Sequence, residues 1–205
     1  MILGVTGGTG SGKSEVCRVF EAEGAAVIDA DVVGHETLED PDVAQRLAAV
    51  FGQEILDAEG CVVRRALGLK SFESEAARQQ LTDVVWPEIA GRIREQTARC
   101  HADRPDRTVV IDAPLLIEWD APKAFCDRLV VVTAPRALRV GRTMSRLGLS
   151  ETEVEARMAF QLSDEEKVRF ADHVIDNSGS LSALQCGARR MWKLIHAETR
   201  RESRP

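Results

Sequence analysis

A chain of 205 residues with formal net charge −6, a sequence pI near 5.4 and 44% hydrophobic residues is long enough for one sizeable core and too acidic to be built for coating nucleic acid or an anionic membrane. No apolar run approaches the ~20 residues of a membrane span. Cys17, Cys61, Cys100, Cys126 and Cys186 are odd in number and never spaced as CxxC, so they read as reduced thiols and not as a disulfide framework or zinc site. The chain enters its first strand without the basic, apolar and cleavage regions of a secretory signal, and a cytoplasmic protein is expected.

The first elements lie in "ILGVTGGTGSGKSEVCRVF". Ile2-Leu3-Gly4-Val5 is an apolar run of strand type, and Val16, Val19 and Phe20 recur at helical spacing. Between them Gly7, Gly12, Lys13 and Ser14 fill the pattern GxxxxGK followed by Ser or Thr, in the strand–loop–helix setting that this pattern needs. A helix start offers unpaired N–H groups and the positive end of its dipole. Glycines let the loop turn its own N–H groups inward at a phosphate. Lys13 adds a mobile charge at the outer phosphates, and the Ser14 hydroxyl can ligate Mg²⁺. The stretch therefore predicts a nucleoside triphosphate site over Gly8, Gly10, Ser11, Gly12, Lys13, Ser14 and Glu15.

"AAVIDAD" (25–31) reads as the second strand and leaves Asp29 and Asp31 just past its end. A carboxylate there can orient or deprotonate an acceptor hydroxyl in phosphoryl transfer. The alternative for Asp31 is to cap the helix that follows. Residues 57–107 are predicted to be mostly helical. "TVVIDAP" (108–114) is the third strand, with Asp112 at its end either reaching Mg²⁺, directly or through water, or making a structural cap or salt bridge. "RLVVVTA" (128–134) is the fourth strand.

Residues 136–170 are charged and helical. Pro135 suits a first helical turn, and Arg139, Arg142 and Arg146 then share one face. Ser150 with Glu153 forms a capping box for a second helix, on which Arg157 and Gln161 are expected to share a face. Two facing helices bearing arginines predict a lid that grips a polyphosphate. "DHVIDN" (172–177) is the fifth strand. A last helix from near Ser180 presents Leu184, Ala188, Met191, Trp192 and Ile195, and the tail "TRRESRP" is expected to fray. His35, His101, His173 and His196 have no ligand-like spacing and read as surface or satisfied side chains. Short Val/Ile-rich strands alternating with helices predict an α/β fold with a parallel sheet buried on both faces, its ligands beyond the carboxyl ends of the strands.

"GVTGGTGSGKSEV", "VIDAD", "DAEGCVVRRAL", "DAPLLIE", "GLSETEVEARMAFQ", "EEK" and "ADHVIDNSGSL", in this order, resemble the dephospho-coenzyme A kinase family over nearly the whole chain. The resemblance implies a three-layer P-loop kinase core with a five-stranded parallel sheet (1–56, 108–135 and 171–205), a helical CoA-binding domain (57–107) and a lid (136–170). It implies transfer of the γ-phosphoryl group of Mg-ATP to the 3′-hydroxyl of the ribose of dephospho-CoA. It assigns the base role to Asp31 and phosphate contact to Arg142. Beside these, Arg146 is expected to assist Arg142, Asn177 and Gly179 past the last strand are expected near the adenine, and Arg65 and Leu115 are expected with Asp31 at the substrate. A small-molecule substrate, no nucleic acid, no membrane, and a monomer or weak homo-oligomer are expected.

Some positions depart from the family pattern. Glu15 stands where many members have Thr, Trp86 stands before Pro87 where a histidine is usual, Leu147 replaces an acidic residue, and Phe160 replaces a small one. Two rival readings share the loop. A sister kinase for a nucleoside monophosphate or another small hydroxyl would also carry the lid. A GTP-dependent switch would match "DVVG" (31–34), but that stretch follows the loop too closely for a switch segment, and no NKxD guanine signal occurs.

Overall fold

The computed structural model describes residues 1–71, 73–119 and 125–202. Among these the strands are β1 (Ile2–Thr6), β2 (Ala26–Asp29), β3 (Val109–Asp112), β4 (Arg128–Thr133) and β5 (His173–Asp176), in the sheet order β2-β3-β1-β4-β5. The helices are α1 (Lys13–Ala22), α2 (Ala30–Leu38), α3 (Pro41–Phe51), α4 (Arg64–Ser71), α5 (Glu75–Asp103), α6 (Arg136–Leu147), α7 (Glu151–Met158), α8 (Asp164–Val168) and α9 (Leu181–Glu202).

All five predicted strands are present, and the α/β expectation holds. β1 is central and pairs in parallel with β3 and β4, so that Gly4 lies opposite Ile111 on one side and Leu129 on the other; β5 pairs in parallel with β4. The short Val/Ile runs take this place because both faces are covered, and β3 is buried along its whole length. One covering layer is α1 with α9. Val16, Val19 and Phe20 meet Leu184, Ala188, Trp192 and Ile195, and the rings of Phe20 and Trp192 lie 5.3 Å apart. The strand order reverses direction at β1, which places the ligand crevice of an open α/β sheet at its carboxyl end.

The chain divides into two compact units, Met1–Ile28 with the chain from Cys100 onward, and Asp29–Arg99. These boundaries differ from the expected division at 57 and 107. Helices α2 and α3, assigned by sequence to the core, belong with α4 and most of α5. The reason is side-chain partnership: Arg46 reaches Glu88 at 2.7 Å and the Val84 carbonyl at 3.0 Å, Arg92 reaches Asp40 at 2.6 Å, and Gly34 faces Ile89. The 136–170 segment stays in the first unit. There α6 and α7 form a hairpin around Val140, Met144, Leu149, Val154 and Met158. The Ser150–Glu153 capping box is present as predicted.

Three local expectations need correction. Pro135 caps α6 from outside and is not in its first turn. α7 stops at Met158, so Gln161 does not share a helical face with Arg157. The predicted tail is helical as far as Glu202, where Arg128 at the start of β4 meets the Glu202 carboxylate through two contacts of 2.5 Å. Residues 203–205 of the predicted tail lie outside the described residues.

Candidate active site

The loop between β1 and α1 is shaped by backbone that other residues rarely adopt. Gly10 and Gly12 have φ of 79° and 95°, in the left-handed region. A side chain at Gly10 would also press on the Arg139 carbonyl, and one at Gly12 on the Asn177 amide. Gly12 opens α1, so the positive end of that helix faces the loop it closes. Ser11 is 1% exposed, and its Oγ is buried with no hydrogen-bond partner among the described residues. Ser14 is exposed on the first turn of α1.

Lys13 meets Asp112 as an ion pair, with side chains only 13% and 6% exposed. Asp112 ends β3, in register with Val5 of β1, and this pairing brings together two residues 99 positions apart in sequence. The structural salt bridge, one of the two readings of Asp112, is therefore realised, and it sets the carboxylate beside the loop lysine and within reach of whatever that lysine holds. On the other side of β1, Asn177 follows β5 and is 5% exposed. Its Nδ2 donates to the Ser11 carbonyl at 2.7 Å, and its own carbonyl accepts from Arg142 Nη2 at 3.2 Å. Arg142 Nη1 is buried without a hydrogen-bond partner among the described residues. Such a donor costs about 1–3 kcal/mol unless an acceptor meets it, and a phosphate oxygen is a suitable one. Arg146 is exposed one turn further on, in a groove that it lines with Ala137, Leu138, Gly141, Arg142 and Ser145.

Asp31 belongs to the second unit, in the first turn of α2. Asp29, and not Asp31, caps that helix: Asp29 Oδ1 accepts from the N–H groups of Asp31 at 2.9 Å and Val32 at 3.3 Å. The capping alternative for Asp31 is thus taken by its neighbour, and the Asp31 carboxylate is exposed two residues beyond a strand end. Arg65 is exposed on α4 in the same unit, while Leu115 is half-buried after β3 in the first.

Residues 1–183 match the family model described as dephospho-CoA kinase. The chain belongs to the dephospho-CoA kinase family. A dephospho-CoA kinase of Corynebacterium diphtheriae is 40% identical over 193 residues, covering 94% of this chain and 96% of that protein. Among solved structures, the Thermus thermophilus protein TT1252 superposes with a TM-score of 0.81 at 33% identity over 97% of both chains. A dephospho-CoA kinase from Campylobacter jejuni superposes with a TM-score of 0.61 at 25% identity, covering 95% of this chain and 96% of that one. The chain is accordingly a P-loop kinase, and the switch reading drops out.

Within this dephospho-CoA kinase family member, several predicted site residues have other work. The Glu15 carboxylate is held by Gln185 Nε2 at 2.7 Å and Arg18 Nη1 at 2.5 Å, and these bonds keep it below the usual carboxylate range. Its side chain thereby ties α1 to α9. Arg139 is 7% exposed and pairs with Asp164 at 2.6 Å, so it does not join Arg142 and Arg146 as a groove-lining arginine. Asn177 braces the loop through its amide. Gly179 lies exposed in the turn before α9. Two of the histidines have hydrogen-bond partners, as expected, His196 with Thr108 and Trp192 and His101 with Arg107; His173 Nε2 lies 3.2 Å from Glu198 Oε2 without the geometry of a hydrogen bond. Of the departures, Trp86 is half-buried, while Leu147 and Phe160 are 43% and 40% exposed.

One buried group was quoted in the sequence motifs without any role. Lys167 is wholly buried, and its Nζ donates to Glu118 at 2.6 and 2.8 Å and to the Pro114 carbonyl at 3.1 Å. Burial pushes the Lys167 ammonium below its ordinary range, and Glu118 opposes that. No periodicity reveals the pair, because its members sit 49 residues apart. Lys167→Met would strand a mostly buried carboxylate, and the expected loss is about 3–5 kcal/mol of stability. Urea denaturation measures it, and adding Glu118→Gln should recover part of the loss.

Proposed function

We propose that this protein transfers the γ-phosphoryl group of ATP to the 3′-hydroxyl of the ribose of dephospho-CoA, giving coenzyme A and ADP, the last step of coenzyme A biosynthesis. The observation that carries this reading is the meeting of Lys13, Asp112, Asn177 and Arg142 around one phosphate loop, in a chain whose family match runs through all of them. The N–H groups of Gly8, Gly10 and Gly12 and the start of α1 cradle the β- and γ-phosphates, while the Ser11 N–H closes the loop on the Gly8 carbonyl at 2.9 Å. Lys13 supplies a point charge to their outer oxygens.

Ser14 and Asp112 would hold Mg²⁺, which when bound offsets charge on the phosphates. The donor set fits a hard cation: a hydroxyl and a carboxylate, with phosphate oxygens and water completing the shell. Asp31 orients the 3′-hydroxyl and accepts its proton, with Arg65 and Leu115 at the same substrate. The unit Asp29–Arg99 takes the coenzyme A moiety, and the α6–α7 hairpin acts as the lid. Gly179 borders the adenine, while Asn177 acts through the loop that it braces. The protein works in the cytoplasm on a small molecule, as a monomer or weak homo-oligomer; no helix among the described residues is long and apolar enough to cross a membrane.

Initial rates with ATP and a panel of acceptors test the substrate. Dephospho-CoA should be phosphorylated and nucleoside monophosphates should not; the reverse pattern would return the sister-kinase reading. Arg142→Lys tests the lid. The change keeps the charge and loses the planar fork that matches phosphate oxygens. Since charge on the transferring group is best met in the transition state, kcat should fall ~10²-fold, with the dephospho-CoA KM nearly unchanged. A rise in KM at constant kcat would make Arg142 a binding residue only.

A further inference from the structure

Thr9 forms the outer bend of the phosphate loop, and both of its backbone groups are taken by side chains from the segment after β4. Its N–H donates to Gln161 Oε1 at 2.8 Å, and its carbonyl accepts from Arg139 Nε at 3.0 Å. These partners lie 152 and 130 residues away in sequence. Gly8 lies against the Arg139 guanidinium, and Gly10 against the Arg139 carbonyl. The shape of the loop on this side is therefore set from outside.

The two holders are themselves anchored. Arg139 Nη1 pairs with Asp164 Oδ1 at 2.6 Å, and Asp164 Oδ2 accepts from the Ala134 N–H at 3.1 Å. One residue past Gln161, the Leu162 N–H donates to Glu118 Oε1 at 3.0 Å. Glu118 in turn is gripped by the buried Lys167. Residues 161–167 thus make a strut tied to the phosphate loop at Thr9, to the turn after β3 at Pro114 and Glu118, and to the end of β4 at Ala134. The strut follows directly on the α6–α7 hairpin.

We propose that Gln161 is a positioning residue for phosphoryl transfer: through Thr9 it ties the bend of the phosphate loop to the place of the α6–α7 hairpin, so that the two are set together. This rests on the reading of that loop as the ATP site. A phosphate loop works by holding several N–H groups in fixed directions where charge develops. Removing one external tether loosens the ATP side and leaves the acceptor side unaffected.

Gln161→Met keeps the size of the side chain and removes the acceptor. Amide hydrogen exchange at Thr9, read by NMR in the protein without nucleotide, should become about tenfold faster, the scale of one lost hydrogen bond. Steady-state kinetics should show an ATP KM raised by about the same factor, with the dephospho-CoA KM unchanged. Gln161→Glu retains an acceptor oxygen and should keep Thr9 protected, whatever its charge does to ATP affinity. Unchanged Thr9 exchange in Gln161→Met, lost protection in Gln161→Glu, or an equal rise of both KM values would each overturn the proposal. Because the exchange experiment needs no nucleotide, its outcome stands apart from whether ATP is the donor.

Discussion

Lys13→Ala should lower kcat by ~10³-fold or more, since the lysine meets charge that grows on the outer phosphates as the group transfers. The structure adds a second consequence. Asp112 is 6% exposed on its side chain, and the lysine is its ion-pair partner. Removing Lys13 leaves that carboxylate buried beside apolar β-strand, at a cost of about 3–5 kcal/mol. Activity and stability would then fall together and could be confused. The double change Lys13→Ala with Asp112→Asn isolates the stability part: thermal stability should largely return once the stranded charge is gone. Near wild-type turnover in the single variant would remove Lys13 from the chemistry and the loop from the role of phosphate cradle.

Asp31→Asn is the second large effect. Loss of a general base costs ~10²–10⁴-fold in rate. The transition state of phosphoryl transfer is loose, and the acceptor hydroxyl gives up its proton late. The upper part of that range is therefore expected only where Asp31 also positions the ribose. The capping geometry makes this test clean. Asp29 Oδ1 holds the first N–H groups of α2, so Asp31→Asn leaves that cap in place, whereas Asp29→Ala should cost about 1 kcal/mol of stability. The deciding measurements are kcat at saturating substrates and the dissociation constant for dephospho-CoA. A fall in kcat of less than about tenfold with normal affinity would shift the catalytic role to Asp112.

What could be read from sequence alone was local. The phosphate loop declares itself because its glycines, lysine and serine act within eight consecutive residues between a strand and a helix. The five strands show as Val/Ile runs because a parallel sheet buried on both faces demands apolar residues at successive positions. The Ser150–Glu153 capping box is legible for the same reason, as both of its bonds close within one turn. A second box, Ser163 with Glu166, carries the same signal.

Tertiary structure decided which charges meet. Arg139 and Arg142 stand one turn apart on α6 and look alike in sequence, yet one is pinned by Asp164 while the other keeps a buried nitrogen without a hydrogen-bond partner among the described residues. Glu15 fits the loop by position and belongs to Gln185 by contact, 170 residues away. Lys167 and Glu118 are charged letters in a polar stretch until the fold buries them against each other. The unit boundary at Asp29 likewise follows from Arg46 and Arg92 finding Glu88 and Asp40. The physical reason is common to all four. Helix periodicity and capping depend on residues within about four positions, whereas the worth of a charge depends on burial and on its partner, which only the packed chain supplies.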